Sequence, residues 1–420
     1  MTNAIVIGGG PAGLAAAVEL ASRGARVTLL EADRELGGRA RSWEGEGYRL
    51  NLGPHALYPQ AERLLNELGV EVTGQVPNGD LAFDIDGETH PIPASALSLL
   101  SSRAFTLGEK LRLARLFAMM GKPSPALARV SVAEWLDGLG MTGRARAFAE
   151  AVVRIATYAN APERLSTAVA LRQLGSAQVR YVDGGWSRIV SARAERAYTL
   201  GVIVRTRAKV GGVAPGVVRV SGESLRADAI VLAVSPKRAA RLLGDHAPAP
   251  LIRFAAEATP VRASHLDVAL SRLPRPEMSV RLGADRPLYA SGHSHYAALA
   301  PAGGAVIHLA RYLAPDQTVD PATARAELEG LLDETQPGWR SHLVEARFAP
   351  ASLVMHALPE ARAGGFAGRP EPLASPGIAV AGDWVGDTGL LLEASLASAV
   401  TAARALTSDR RALEPLGAVG

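Results

Sequence analysis

The 420-residue chain has no cysteine. That excludes a disulfide scaffold, a thiol redox enzyme, a Cys-ligated zinc site and a thioether-linked flavin, so any redox work falls to a bound cofactor. Lysine is almost missing as well: Lys110, Lys122, Lys209 and Lys237 are all there are, a bias toward arginine that reads as codon composition rather than chemistry. There is no basic tail or Lys/Arg block, and 45 basic against 41 acidic residues leave a net charge of only +4, so nucleic acid is not an expected partner. No uncharged run reaches the ~18 apolar residues of a transmembrane helix. Met1 leads directly into an apolar strand without a charged n-region or a cleavage site, so a cytoplasmic protein is expected.

What is there is ordinary globular composition, 48% hydrophobic and 20% charged, in a chain long enough for two domains and a buried cofactor. Ala4 to Ile7 reads as a buried strand, Leu14 to Ser22 as a helix stopped at Gly24, and Arg26 to Leu30 as a second strand, together a βαβ unit. A hairpin is expected around Asp86-Gly87, then a helical lobe from Ala94 to Leu174. An α/β pattern returns after Gly184-Gly185-Trp186, with apolar strands at Ala229 to Val234 and Ile378 to Ala381 and a last helix from Leu391 to Leu406. Between them Ser264 to Leu270, Met278 to Leu282 and Ala305 to Tyr312 alternate like strands of a second sheet, Pro315 to Leu332 resembles a helix packed on it, and the tail beyond Ser408 reads as frayed.

Gly8-Gly9-Gly10-Pro11-Ala12-Gly13 satisfies G-x-G-x-x-G between a strand and a helix start, the context in which the motif has mechanical meaning. The first glycine permits the turn, Gly10 lets backbone approach a pyrophosphate, Gly13 lets helix and strand pack closely, and the helix N-terminus supplies N–H donors. Glu31 ends the next strand about 20 residues on, where a carboxylate can accept from ribose hydroxyls. A second match, Gly138 to Gly143, follows a helical pattern and is expected to be a helix-to-helix turn, which leaves no dedicated nicotinamide domain.

These residues, with Gly37-Gly38-Arg39, Gly53-Pro54-His55, Gly184-Gly185-Trp186 and Ala381-Gly382-Asp383-Trp384 in this order, resemble the phytoene desaturase and flavin amine oxidase superfamily. The resemblance implies an α/β fold: a discontinuous glutathione-reductase-type Rossmann FAD-binding domain from residues 1–75, 180–245 and 365–410, and an α+β substrate domain from 76–179 and 246–364. It further implies that Arg39 contacts the pyrophosphate or ribityl region and that Val210 gives backbone hydrogen bonds to adenine. Gly382-Asp383 would meet a ribityl hydroxyl, and Leu391 and Leu392 would present helix N–H groups to the flavin pyrimidine. Gly53, Pro54 and His55 would run beside the ring, which makes His55 the catalytic choice, by position. The amine oxidase branch commonly carries a lysine near the flavin, whereas none lies between Pro248 and Pro370, and Ala300-Pro301-Ala302-Gly303 looks like a turn of the desaturase branch.

The expected activity is therefore FAD-dependent dehydrogenation of a small, lipophilic organic substrate by hydride transfer, desaturase-like. Amine oxidation, non-redox flavin isomerase or mutase chemistry, and a flavin-free binding protein of the GDP-dissociation-inhibitor type stand as alternatives, and oligomeric state is left open. His293 and His295, two apart on an expected strand, face one side, but without a clustered carboxylate no metal site is expected. Leu97 to Met120, apolar on one face and carrying Arg103, Lys110, Arg112 and Arg115, could rest on a membrane surface as a peripheral contact. If the two ends of the cofactor are read correctly, Gly10→Val obstructs the pyrophosphate and Asp383→Ala weakens FAD retention. The flavin absorbance per mole of purified protein checks both: full flavin content in Gly10→Val contradicts the Rossmann reading, and in Asp383→Ala the C-terminal assignment.

Overall fold

The computed structural model describes residues 2–176 and 178–408; the tail beyond Ser408, expected to fray, lies outside the described residues. Short Val/Ile/Leu runs such as Ala4-Ile5-Val6-Ile7 and Ala229-Ile230-Val231-Leu232 are buried on both faces, the pattern of a parallel sheet covered by helices. They form a six-stranded sheet in the spatial order Ile203–Arg205, Arg26–Leu30, Asn3–Ile7, Ala229–Leu232, Ile378–Val380 and Leu373–Ser375. All neighbours are parallel except the last pair, with Val6 in register with Leu29 on one side and Val231 on the other. The order therefore runs outward in both directions from Asn3–Ile7. The crevice beyond the carboxyl ends of the strands at such a switch point is where open α/β sheets take their ligands.

Pro11–Ser22 begins at that point, with Pro11 at a first-turn position where a missing N–H costs nothing. It packs against Leu391–Ser408 and Ser187–Thr199 over the alanine-rich core Ala15, Ala16 and Ala17, which are fully buried. A three-stranded antiparallel sheet, Val210–Ala214, Val217–Val220 and Glu223–Arg226, flanks this layer.

The second large sheet has seven strands, ordered Leu343–Met355, Val261–Leu270, Ala305–Tyr312, Leu288–Gly292, Met278–Gly283, Asp80–Ile85 and Glu88–Pro91. Its pairs are antiparallel except Met278–Gly283 with Asp80–Ile85. Helix Pro321–Thr335 packs on one face, starting later than the sequence pattern implied because Asp320 caps it through the Thr323 N–H at 2.8 Å. The helical lobe contains Ala96–Ser101, Leu107–Met119, Val132–Gly138, Gly143–Thr157 and Thr167–Leu174, and Gly138 to Gly143 is the expected helix-to-helix turn. Among the described residues no helix is long and apolar enough to cross a membrane.

Two readings need correction. His293 and His295 are not on a strand but in a 3-10 turn that follows Leu288–Gly292, so the period-2 argument does not apply to them. Leu343–Met355, the longest strand, escaped the sequence reading because it is half-buried for most of its length and contains Pro350.

Candidate functional site

The Gly8–Gly13 turn is closed by backbone contacts that only glycine permits. A Cβ on Gly13 would lie 1.8 Å from the Gly8 carbonyl oxygen, so helix and strand meet at their closest here. At Gly10, by contrast, a Cβ would find nothing nearer than the Gly37 carbonyl oxygen at 4.0 Å. Gly10 borders open space, and its lack of a side chain keeps that space open beside the N-terminus of Pro11–Ser22. Gly37 N–H donates to the Gly9 carbonyl at 2.8 Å, which seats the Gly37-Gly38-Arg39 segment against the first loop.

A cavity of about 430 Å³ opens at this point. Its wall contains Gly8, Gly10, Pro11, Ala12, Glu31, Gly38, Arg39, Gly53, Pro54, His55, Val210, Gly382, Asp383, Leu391 and Leu392. Of the residues expected to contact cofactor, Gly13 alone does not line it, being occupied in the helix–strand contact. Glu31 is fixed by the N–H groups of Gly9 at 2.6 Å and Asp33 at 2.8 Å. The Val210 carbonyl accepts from the Arg238 guanidinium at 2.6 Å, a cavity-lining partner that the sequence offered no means of finding.

Asp383 is 1% exposed and ion-paired to Arg39 at 3.1 Å. His356, also missed by sequence reasoning, adds its backbone N–H at 3.2 Å and its Nδ1 at 2.6 Å. Burial acts to raise the Asp383 pKa, but Arg39 and His356 overcome it and hold the carboxyl well below its usual range. Arg39 also donates to the Val354 carbonyl at 2.7 Å, so the guanidinium joins the Gly-rich loop to the end of the long strand. Leu391 opens the last helix at φ 55°, a left-handed conformation rare for a branched side chain, and Tyr158, at φ 60°, also lines the cavity.

The other end of the cavity carries His55, His265 and His308. Behind them stands the carboxylate that the sequence reading found lacking. Asp267, 1% exposed on Val261–Leu270, faces His308 across the strand pair and accepts its Nδ1–H at 2.8 Å and the His55 Nε2–H at 3.0 Å on the same oxygen. His293 is buried beside them, its ring 5.1 Å from His55 and 4.2 Å from Tyr181, whereas His295 turns away toward Gly292. Burial, helped by charge on His55, pushes His308 down to about 4 and His293 well below the ordinary histidine value. Burial acts to raise Asp267, but His308 and His55 outweigh it and keep the carboxylate ionised. His55, Asp267 and His308 place three potential ligand atoms within 4.8 Å of one another.

An open cradle at a helix N-terminus, a strand-end carboxylate and a second helix N-terminus at the far end of one cavity fit an extended dinucleotide with an anionic centre. Comparison with known proteins points the same way. Residues 11–268 match the model of the flavin containing amine oxidoreductase family. A coproporphyrinogen III oxidase of Propionibacterium freudenreichii subsp. freudenreichii is 35% identical over 104 residues, 24% of this chain and 20% of that protein. An L-amino-acid oxidase of Pseudechis australis is 40% identical over 85 residues, 19% of this chain and 16% of that protein. The matched stretch thus spans about a fifth or less of either relative's length. The solved structure of cyclohexylamine oxidase from Brevibacterium oxydans IH-35A superposes with a TM-score of 0.74 at 18% identity, over 98% of this chain and 99% of that one, a likeness of fold.

The depressed His308 sets a pH dependence. Between its ordinary value of 6.5 and about 4, the unfolded chain binds a proton that folded His308 refuses. Stability is therefore complete above that window and falls as the pH drops through it, by about 1–3 kcal/mol from this group. Thermal midpoints measured across the window should decline on acidification, with a shallower decline in His308→Gln; parallel declines in the two proteins would remove His308 as the cause.

Proposed function

The chain belongs to the flavin-containing amine oxidoreductase family and is an FAD-dependent oxidoreductase, and from that premise we propose that it dehydrogenates an uncharged, lipophilic small molecule. The observation that carries the reading is the state of the cavity's carboxylates. Glu31 is held by backbone N–H groups, Asp383 by Arg39 and His356, and Glu393 by Arg172 at 3.2 Å, while Asp267 lies behind the histidines. Among the described lining residues none is left to receive a substrate ammonium. The wall beyond His55 is instead Tyr58, Tyr158, Ala263, Ala310, Leu353 and Val354. A pocket of this kind selects by shape and apolar contact.

In this reading Glu31 holds the ribose, the Gly10–Ala12 backbone the pyrophosphate and the Val210 backbone the adenine. Arg39 and Asp383 hold the ribityl region, and Leu391 and Leu392 direct N–H groups at the pyrimidine. When bound, FAD accepts a hydride from a substrate C–H. The protein's own part is to orient that C–H, to exclude water with the tyrosine and leucine walls, and to keep the Leu391 helix N-terminus where negative charge develops.

The missing lysine between Pro248 and Pro370 favours carbon–carbon desaturation. The neutral imidazoles equally suit a neutral amine, the chemistry in the names of the L-amino-acid oxidase and cyclohexylamine oxidase relatives, and amine oxidation is the second reading. We also propose a cytoplasmic location with peripheral membrane contact through Leu97, Leu100, Leu107 and Leu111, all exposed beside Arg103 and Arg115. Anaerobic titration of the flavin spectrum with polyenes, cyclic unsaturated compounds, uncharged hydrophobic amines and charged amino acids tests the substrate class. Bleaching by apolar compounds is expected; bleaching by the amino acids alone would overturn the uncharged-substrate reading.

A further inference from the structure

The histidine cluster contains more than a wall needs. Asp267 is a buried anion whose ion-pair partners among the described residues are all histidines: His55 at 3.0 Å, His308 at 2.8 Å and, through its other oxygen, His265 at 3.7 Å. His55 uses Nε2 and His308 uses Nδ1, so each keeps its other ring nitrogen for a further proton. The two rings are stacked with centroids 3.6 Å apart and their planes 29° from parallel.

These distances limit how many protons the pair can hold. With both imidazoles neutral the unit carries the single charge of Asp267, and one imidazolium brings it to zero. A second would repel the first by about 5 kcal/mol at an effective dielectric of 20 and leave a net positive charge in a buried site. The second protonation is accordingly deferred, with His308 pushed down to about 4 by burial and then by the His55 charge. The other groups facing the pair are His265, His293 and Tyr289, whose ring lies 6.4 Å from His308; burial lowers the first two and pushes the tyrosine well above its usual value, so none competes as a cation or an anion near neutral pH.

A metal ion would need a different spacing. Ligands at ~2.0–2.2 Å in a tetrahedral site stand ~3.3 Å or more apart, whereas both imidazoles here sit at hydrogen-bond distance from one carboxylate oxygen. The arrangement is built for protons.

We propose that His55, Asp267 and His308 form a one-proton acceptor that takes the proton released as the substrate is oxidised. The inference rests on the dehydrogenase reading above. A substrate H–C–X–H, with X carbon or nitrogen, gives its C–H hydride to the bound flavin, the oxidant. The X–H electron pair forms the C=X bond, and the X–H proton passes to the free nitrogen of His55 or His308. The unit thereby moves from net −1 to zero and later returns the proton to solvent. His55 and His308 line the cavity, while Asp267 acts through them as a positioning residue.

The test is a pH titration of the flavin-loaded protein with 15N-labelled histidine, which needs no substrate. Between pH values near 8 and about 4, the wild-type His55 and His308 rings should respond together and take up one proton between them. In Asp267→Asn, which keeps the shape and an acceptor oxygen, both should stay neutral throughout. Two independent full titrations, ring signals unmoved by Asp267→Asn, or one equivalent of zinc in protein purified from zinc-supplemented culture would each overturn the proposal. Should Asp267→Asn fail to fold, His308→Asn gives the same decision: the pH response of the His55 ring signals must then differ from wild type, and an unchanged response contradicts the shared proton. With a compound that bleaches the flavin, Asp267→Asn should slow anaerobic reduction on the order of a hundred-fold or more at saturating substrate with the apparent affinity kept. If no compound bleaches it, the dehydrogenase reading fails while the ring titration still decides whether the unit exists.

Discussion

The ion pair between Arg39 and Asp383 is the contact on which the arrangement of this molecule turns. It joins a residue just after the glycine-rich loop to one separated from it by most of the chain, and His356 at the end of the longest strand completes it. Asp383 is the buried partner and Arg39 the exposed one, so removing Arg39 would leave a buried carboxylate short of its counter-charge, a heavier penalty than the loss of a surface pair. Because the same groups line the cavity, the interaction that closes the fold also fixes the middle of the binding site. Both large sheets contribute to the cavity wall, one with a helix N-terminus and a strand-end carboxylate, the other with imidazoles.

Legibility followed locality. The Gly8–Gly13 turn, Glu31 and the helix at Leu391 could be read from sequence because each role is dictated by neighbours within a few residues: a strand, a turn, a helix start. The βαβ unit and the hairpin at Asp86-Gly87 were legible for the same reason. The histidine cluster was not. His55, Asp267, His293 and His308 come from a loop, two strands and a turn, and only the register of Val261–Leu270 with Ala305–Tyr312 sets Asp267 opposite His308. No spacing rule links them, and the one pair with a suggestive spacing, His293 and His295, diverges in a 3-10 turn. His356 and Arg238 gave no local signal either. Leu343–Met355 was hidden by its half-burial, which blurs the alternation that identifies a strand.

A cysteine-free chain with almost no lysine has few ways to do acid–base chemistry near a flavin. Here the recourse is histidine, kept neutral by burial and given direction by one carboxylate. Burial and ion pairing oppose one another across the cluster: burial wins at His265, His293 and His308, and pairing wins at the Asp267 carboxylate. The outcome is a site in which one buried carboxylate carries the charge and the imidazoles in front of it screen it from the cavity.

The interleaving of the six-stranded sheet has a consequence for how the chain comes to be folded on the ribosome. Its central strands at Asn3–Ile7 and Ala229–Leu232 can pair once residues to Leu232 have emerged, but Ile378–Val380 and the helix that begins at Leu391 arrive much later. Until then the first strands have an uncovered edge and the glycine cradle faces water with half of its cavity missing. Such distant pairing is slow and leaves apolar surface exposed in the meantime. The last tenth of the sequence therefore acts as a timer, since tight cofactor capture has to wait for it.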